Sequence, residues 1–339
     1  MARIFRDEDY RPRPNRRGSR PRTKHRPSHE SAVDGLVTAV DRGRYRVVLA
    51  DADGDFDADG RTVTAVRASN LRRVAVVPGD IVRIVGDTTG REGTLARLVE
   101  ITERRTLLRR SADDTDPTER VIVANVDLMG IVTATVDPEP SYGLIDRALT
   151  AAIDAGITPL IIVTKTDLAP ADDIARRFSA AEVDIVSSGL RSDGSLADDA
   201  VAERLAGHIS VLVGHSGVGK STLTNALVPA ADRATGDVND VTGRGRHTSS
   251  SAVCLPLTTG GWLIDTPGVR SFGLAHVDRD GLLAAFPELV EATTECPRGC
   301  THLADAPGCR LDAWVESGKA GPEGVSRLES LRRLLANAG

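Results

Sequence analysis

Gly214-His215-Ser216-Gly217-Val218-Gly219-Lys220-Ser221 is the stretch that decides how this chain folds. It satisfies the pattern G-x-x-x-x-G-K-[ST] at every fixed position. The apolar run Ile209-Ser-Val-Leu-Val213 precedes it and Thr222-Leu-Thr-Asn-Ala-Leu227, with helical spacing, follows. That is the strand–loop–helix setting the pattern requires. Glycines let the loop turn its backbone N–H groups inward, and the helix start adds the positive end of its dipole. Such a loop cradles the phosphates of a nucleotide. Lys220 is expected to bridge the β- and γ-phosphates and Ser221 to ligate Mg²⁺, with Thr222 completing the phosphate-binding set.

Downstream, Trp262-Leu-Ile reads as a strand ending in Asp265-Thr-Pro-Gly268. An Asp at the carboxyl end of a neighbouring strand is where a fold of this kind holds Mg²⁺, usually through water. Gly268 offers a backbone N–H to a γ-phosphate, which makes the loop after it sensitive to hydrolysis. Between the two motifs runs the glycine-rich, basic Thr242-Gly-Arg-Gly-Arg-His247-Thr248-Ser249. Thr248 is a candidate second Mg²⁺ ligand. Taken alone the segment reads equally as a surface loop, and its position between the two motifs is what singles it out.

Upstream, Thr164-Lys165-Thr166-Asp167 follows the apolar Leu160-Ile-Ile-Val163 and resembles the guanine-recognition motif N-K-x-D. A carboxylate there accepts from guanine N1–H and N2–H₂, a donor pair adenine lacks, and the Lys165 stem packs on base and ribose. Thr164 stands where the pattern has Asn, so an amide is missing. Val186-Ser187-Ser188-Gly189, after the next strand, looks like the loop whose backbone reads guanine O6. The base motifs therefore precede the phosphate motifs, a permuted order. Loops at the carboxyl ends of parallel strands meet at one edge whatever the chain order, so permutation preserves the site.

Around this centre the composition shifts. Residues 1–33 are an expected disordered basic arm: ten Arg and Lys against four acids in the first 30 residues, in a chain of net charge −5. The arm suits a polyanion such as RNA, or serves only as a solvated tail. Residues 34–110 show five short β-rich runs broken by turns such as Pro78-Gly-Asp, which fit an OB-type barrel or another small β-barrel. After the polar Ser111–Pro117, residues 111–275 alternate apolar runs, from Val121-Ile-Val-Ala and Leu128–Thr133 onward, with helical stretches. That alternation predicts a parallel sheet with helices on both faces. Residues 276–339 read as helical, with Cys296-x₃-Cys300-x-His302-x₆-Cys309 inside them. Three of the chain's four cysteines with one histidine make a closed Cys₃His set, suited to one structural, tetrahedral Zn²⁺. Cys254, in Val253-Cys-Leu-Pro-Leu, reads as a buried strand residue. No apolar run reaches the roughly 18 residues that span a bilayer, and the first residues lack a secretory signal, so a cytoplasmic protein is expected.

With these motifs on the page, the chain resembles the bacterial ribosome small-subunit-dependent GTPase A family over roughly residues 34–320. Asn125-Val-Asp127, Leu144-Ile-Asp-Arg147 and Gly245-Arg-His-Thr248 add to the likeness, while the spacing after His302 is one residue longer than is common there. The resemblance implies an OB domain, a circularly permuted GTPase domain and a C-terminal zinc-binding domain. It also implies GTP hydrolysis stimulated by the 30S subunit, contact with 16S rRNA, and a role in late 30S maturation by a monomer. Catalysis would rest on Lys220 and Thr248. Val269 stands where Ras-like GTPases orient the attacking water with Gln, which leaves His247, or more weakly His215, to do so; His247 reads alternatively as an RNA or solvent contact. Two rivals stand beside this reading. One is a nucleotide-regulated RNA-binding module with incidental hydrolysis. The other is a metabolic P-loop ATPase or kinase, which has no use for Asp167.

Overall fold

The computed structural model describes His29 and residues 31–71, 74–111, 119–228, 252–266 and 277–337. The basic arm, most of Ser111–Pro117, the segment with His247 and Thr248, and Gly268-Val269 lie outside the described residues.

Alternation builds the first module. In β1 (Val33–Asp41), β2 (Arg44–Leu49), β3 (Thr62–Arg67), β4 (Ile81–Gly86) and β5 (Ala96–Ile101), the residues Tyr45, Val47, Val63, Ala65, Val82, Ile84, Ala96 and Leu98 share one buried core. β1 pairs with β2 along most of its length and with β4 through Val33–Leu36, so the strands close in the ring β1-β2-β3-β5-β4. Only β3 and β5 run parallel. A closed five-stranded ring in this order is an OB barrel, which decides between the barrels left open by the strand count.

The next two strands depart from expectation. β6 (Leu107–Ser111) and β7 (Glu119–Ala124) form their own antiparallel pair, so Val121–Ala124 does not join the parallel sheet. An apolar run of that length fits a hairpin arm as well as a buried parallel strand, and its partner lay before the polar stretch.

The α/β layer then runs β8 (Leu128–Ala134), α1 (Tyr142–Asp154), β9 (Thr158–Thr164), α2 (Asp172–Arg177), β10 (Asp184–Ser187), α3 (Asp199–Leu205), β11 (Ile209–Val213), α4 (Lys220–Leu227), β12 (Val253–Pro256) and β13 (Trp262–Asp265). Its strand order is β10-β9-β8-β11-β13-β12, parallel throughout except for β12. All seven residues of β8 are buried, as a strand covered on both faces must be. One core lies against α1 and α2, the other against α3 and α4. The edge strand β12 meets the barrel at Ala39–Val253, and the Trp262 indole donates to Phe56 O at 2.9 Å. Asn125 and Asp127 clasp the same junction: Asn125 Nδ2 donates to Gly79 O at 2.9 Å, and Asp127 accepts from Ile209 N and from Arg105. Cys254 is buried there, its thiol pushed up to about 12 by desolvation.

Among the described residues four helices follow: α5 (Arg279–Ala284), α6 (Pro287–Thr293), α7 (Leu311–Glu316) and the longer α8 (Gly324–Asn337). Asp278 caps α5 by accepting from Gly281 N, and Pro287 opens α6, where its missing N–H costs nothing. Phe286, Leu289, Leu311, Trp314 and Leu331 are central to their core. No described helix is long and apolar enough to cross a membrane.

Candidate nucleotide site and metal centre

β11 delivers the loop Gly214–Gly219 to the carboxyl edge of the sheet, between β8 and β13. Gly217 and Gly219 take φ of +84° and +92°, a left-handed backbone natural to glycine. A Cβ on Gly214 would stand 2.3 Å from Val132 O, so the loop hugs β8 too closely for any side chain there. Lys220 opens α4 and folds back, donating to Gly214 O at 2.7 Å and to His215 O. Asp265 ends the adjacent strand near enough for the Lys220 ammonium to draw its pKa down. Burial of the carboxyl outweighs that pull and raises it. Ser221 and Thr222 lie exposed on the first turn of α4, and His215 and Ser216 are exposed on the loop.

Across the edge, β9 and β10 bring the base motifs together. A cavity of about 270 Å³ is lined by Thr164, Lys165, Asp167, Ser188, Gly189, Gly219 and Thr222. Both halves of the sequence pattern, 164–189 and 214–222, thus meet in one place. The Thr164 hydroxyl is buried and donates to Val218 O at 2.6 Å, tying the base strand to the phosphate loop without the missing amide. Asp167 Oδ1 accepts from Leu190 N at 2.9 Å, a contact that orients the carboxylate. Gly189 packs so tightly that a Cβ would meet Thr166 Oγ1 at 2.6 Å and Asp167 N at 2.9 Å. Ser188 is buried, while Ser187 ends β10 exposed. Lys165 sits at φ +57°, uncommon for a non-glycine residue, and its ammonium donates to Asp137 O.

The cavity's apolar walls, Leu168, Leu190, Leu196 and Leu223, were not singled out from sequence. Leu168 is 65% exposed and Leu190 53%, unusual for leucine, and a leucine at each end of the polar run Arg191–Ser195 was the available signal. The loop Thr135–Pro140 also went unnoticed. It touches Lys165, and Pro138 lies 3.5 Å from where a Gly217 Cβ would stand. Gly268, His247 and Thr248 lie outside the described residues.

In the C-terminal module one ligand atom from each of Cys296, Cys300, His302 and Cys309 lies within 4.8 Å of all the others. A tetrahedron of thiolate–zinc bonds has edges of roughly 3.8 Å, and Cys309 Sγ stands 3.9 Å from His302 Nδ1. The donor set and its spacing fit Zn²⁺. Gly308, at φ +73°, turns the chain just before Cys309. Burial and the neighbouring Cys296 and Cys300 push the Cys309 thiol up to about 11, and burial and Arg279 lower His302.

Comparison with known proteins agrees with this geometry. A family model described as RsgA GTPase matches residues 101–275. The small ribosomal subunit biogenesis GTPase RsgA of Pseudomonas aeruginosa is 38% identical over 291 residues, covering 83% of this chain and 80% of that protein. The Burkholderia mallei protein of the same name is 38% identical over 246 residues, 70% of this chain and 77% of its own. Among solved structures, YjeQ from Thermotoga maritima superimposes with a TM-score of 0.67 at 25% identity, over 91% of this chain and 98% of that one. YloQ, described as a circularly permuted GTPase, gives 0.65 at 23% identity over 92% and 98%, a likeness of fold.

Proposed function

We propose, for a chain that belongs to the RsgA GTPase family, a GTP hydrolase that binds the small ribosomal subunit and couples hydrolysis to late 30S maturation. The observation that carries the reading is the cavity lined both by Asp167, oriented by Leu190 N, and by Thr164, whose hydroxyl straps the base loop to the phosphate loop. Asp167 accepts guanine N1–H and N2–H₂; the N–H of Gly189 reads O6; the backbone of 214–219 and Lys220 hold the phosphates. Ser221, Asp265 and Thr248 are the residues we assign to Mg²⁺, which when bound would supply charge neutralisation during phosphoryl transfer. Cys296, Cys300, His302 and Cys309 hold one structural Zn²⁺. The basic arm and the barrel contact 16S rRNA, and the protein works as a cytoplasmic monomer.

Water positioning falls to His247, because Val269 offers no hydrogen bond. His247→Ala then keeps GTP affinity and loses most of the 30S-stimulated rate; equal stimulated rates in single-turnover hydrolysis make it a bystander. The reading as a whole is tested by GTP turnover with and without 30S subunits. Marked stimulation supports it. An unchanged rate favours the rival, an RNA-binding module whose hydrolysis is incidental.

A further inference from the structure

Three thiolates and a neutral imidazole around Zn²⁺ leave one negative charge uncompensated at the Cys/His corner. The three cysteines are half-buried, so water screens that charge only in part. Backbone groups take up some of it. Arg310 N donates to Cys296 Sγ at 3.3 Å, and Leu311 N donates to the Cys309 sulfur. The rest calls for a cation.

Arg332, on α8, is built into the corner. Its Nη1 and Nη2 donate to Asp312 Oδ1 and Oδ2 at 2.8 and 2.7 Å, a fork on a fork that fixes the plane of the guanidinium. Its Nε donates to His302 O at 3.3 Å. The Cys309 sulfur also stands against this group; Asp312 first, and Cys309 after it, hold the Arg332 pKa above its ordinary value. The Asp312 side chain is 53% exposed and that of Arg332 only 19%. Water thus spreads the aspartate's charge more than the arginine's, and the pair presents its positive end to the sulfur. Other cations near the corner are placed differently. Arg298 and Arg310 are exposed. Arg279 bears on His302, which binds metal as a neutral ring, and Asp280 beside it pulls the other way.

We propose that Arg332 is a positioning residue of the metal centre: aimed by Asp312, it balances the charge of the zinc-bound Cys309 thiolate and braces the His302 turn. This rests on the reading of the corner as a zinc site. Zinc affinity then depends on a residue of the last helix, well beyond the final ligand in the chain. Groups in this outer shell orient the ligands and tune the metal.

The test is a titration of full-length, zinc-loaded protein with a chromophoric chelator. Arg332→Met keeps the apolar stem and discards the charge, and zinc affinity is expected to fall about 10- to 100-fold, the usual worth of an outer-shell partner. Arg332→Lys returns the charge without the fork and should recover most of the loss. Asp312→Asn leaves the cation beside Cys309 and should cost less than Arg332→Met. With Co²⁺ in place of Zn²⁺, the thiolate-to-metal charge-transfer band should shift in Arg332→Met and return towards its wild-type position in Arg332→Lys. An Arg332→Met protein that holds zinc as tightly as the wild type overturns the proposal. So does Arg332→Lys as weak as Arg332→Met, or Asp312→Asn as costly, because either marks a mere pin between α7 and α8. If Arg332→Met does not fold, Arg332→Gln, still a donor to Asp312 and His302 O, decides the matter: wild-type zinc affinity refutes the charge role. A wild type that binds no zinc refutes the metal reading itself, before any substitution is made.

Discussion

The nucleotide cradle and the Cys/His corner each gather several groups around one point, by opposite means. The cradle is made of backbone and stands at the edge of a sheet whose two cores owe nothing to the ligand. Its glycines, the Thr164 strap and the Leu190 bond to Asp167 are all contacts of the chain with itself. The corner is made of side chains on turns between α6 and α7, where Leu303 and Cys309 are the residues that pack against the helical core. Three thiols crowd together there, and burial with the neighbouring thiols raises the Cys309 pKa. A cradle of the first kind rests on cores that its occupant does not complete. A corner of the second kind is completed by it.

The largest expected effect lies at the corner. Cys300→Ser should take zinc from one per chain to almost none by metal analysis, and should loosen the C-terminal helices while leaving GTP affinity nearly intact. Structural zinc contributes folding free energy directly. Loss of GTP affinity in step with the metal would erase the contrast between the regions. The thiols must also shed protons to bind, so zinc affinity should rise with pH, and titration in buffers of different ionisation enthalpy should register proton release. Next comes Lys220→Ala, expected to cost about 3 kcal/mol of triphosphate binding, roughly a hundredfold, with no change in melting temperature. Equilibrium titration and thermal melting together check both halves of that statement. The smallest effect is Thr164→Val, which removes the bond to Val218 O at nearly constant volume. About 1 kcal/mol should be lost from GTP and GDP alike, raising KM without lowering kcat. A drop in kcat alone would mean that the strap serves the chemistry.

Much of this was legible in the sequence because its signals are local. The phosphate loop declares itself through glycines and a lysine in a strand–helix setting, and the barrel through short β-rich runs broken by turns, with alternation clearest in the last two. What stayed hidden depends on contacts far apart in the chain. Asp146 is an ordinary helix residue until Arg327, 181 positions later, is folded against it. Leu190 and Leu196 look like loop leucines until β9 and α4 close a cavity beside them. Val121–Ala124 carries an apolar run that does not say whether its partner lies before or behind it.

The central claim is that one carboxylate at the edge of a permuted sheet chooses the base, and Asp167→Asn tests it most directly. Competition among GTP, XTP and ATP should be measured on the wild type and the variant. The wild type is expected to prefer GTP. The variant loses an acceptor and gains a donor opposite the base's 2-position, so preference should pass to XTP by about 3 kcal/mol, roughly a hundredfold. A variant that still prefers GTP as the wild type does would contradict the account.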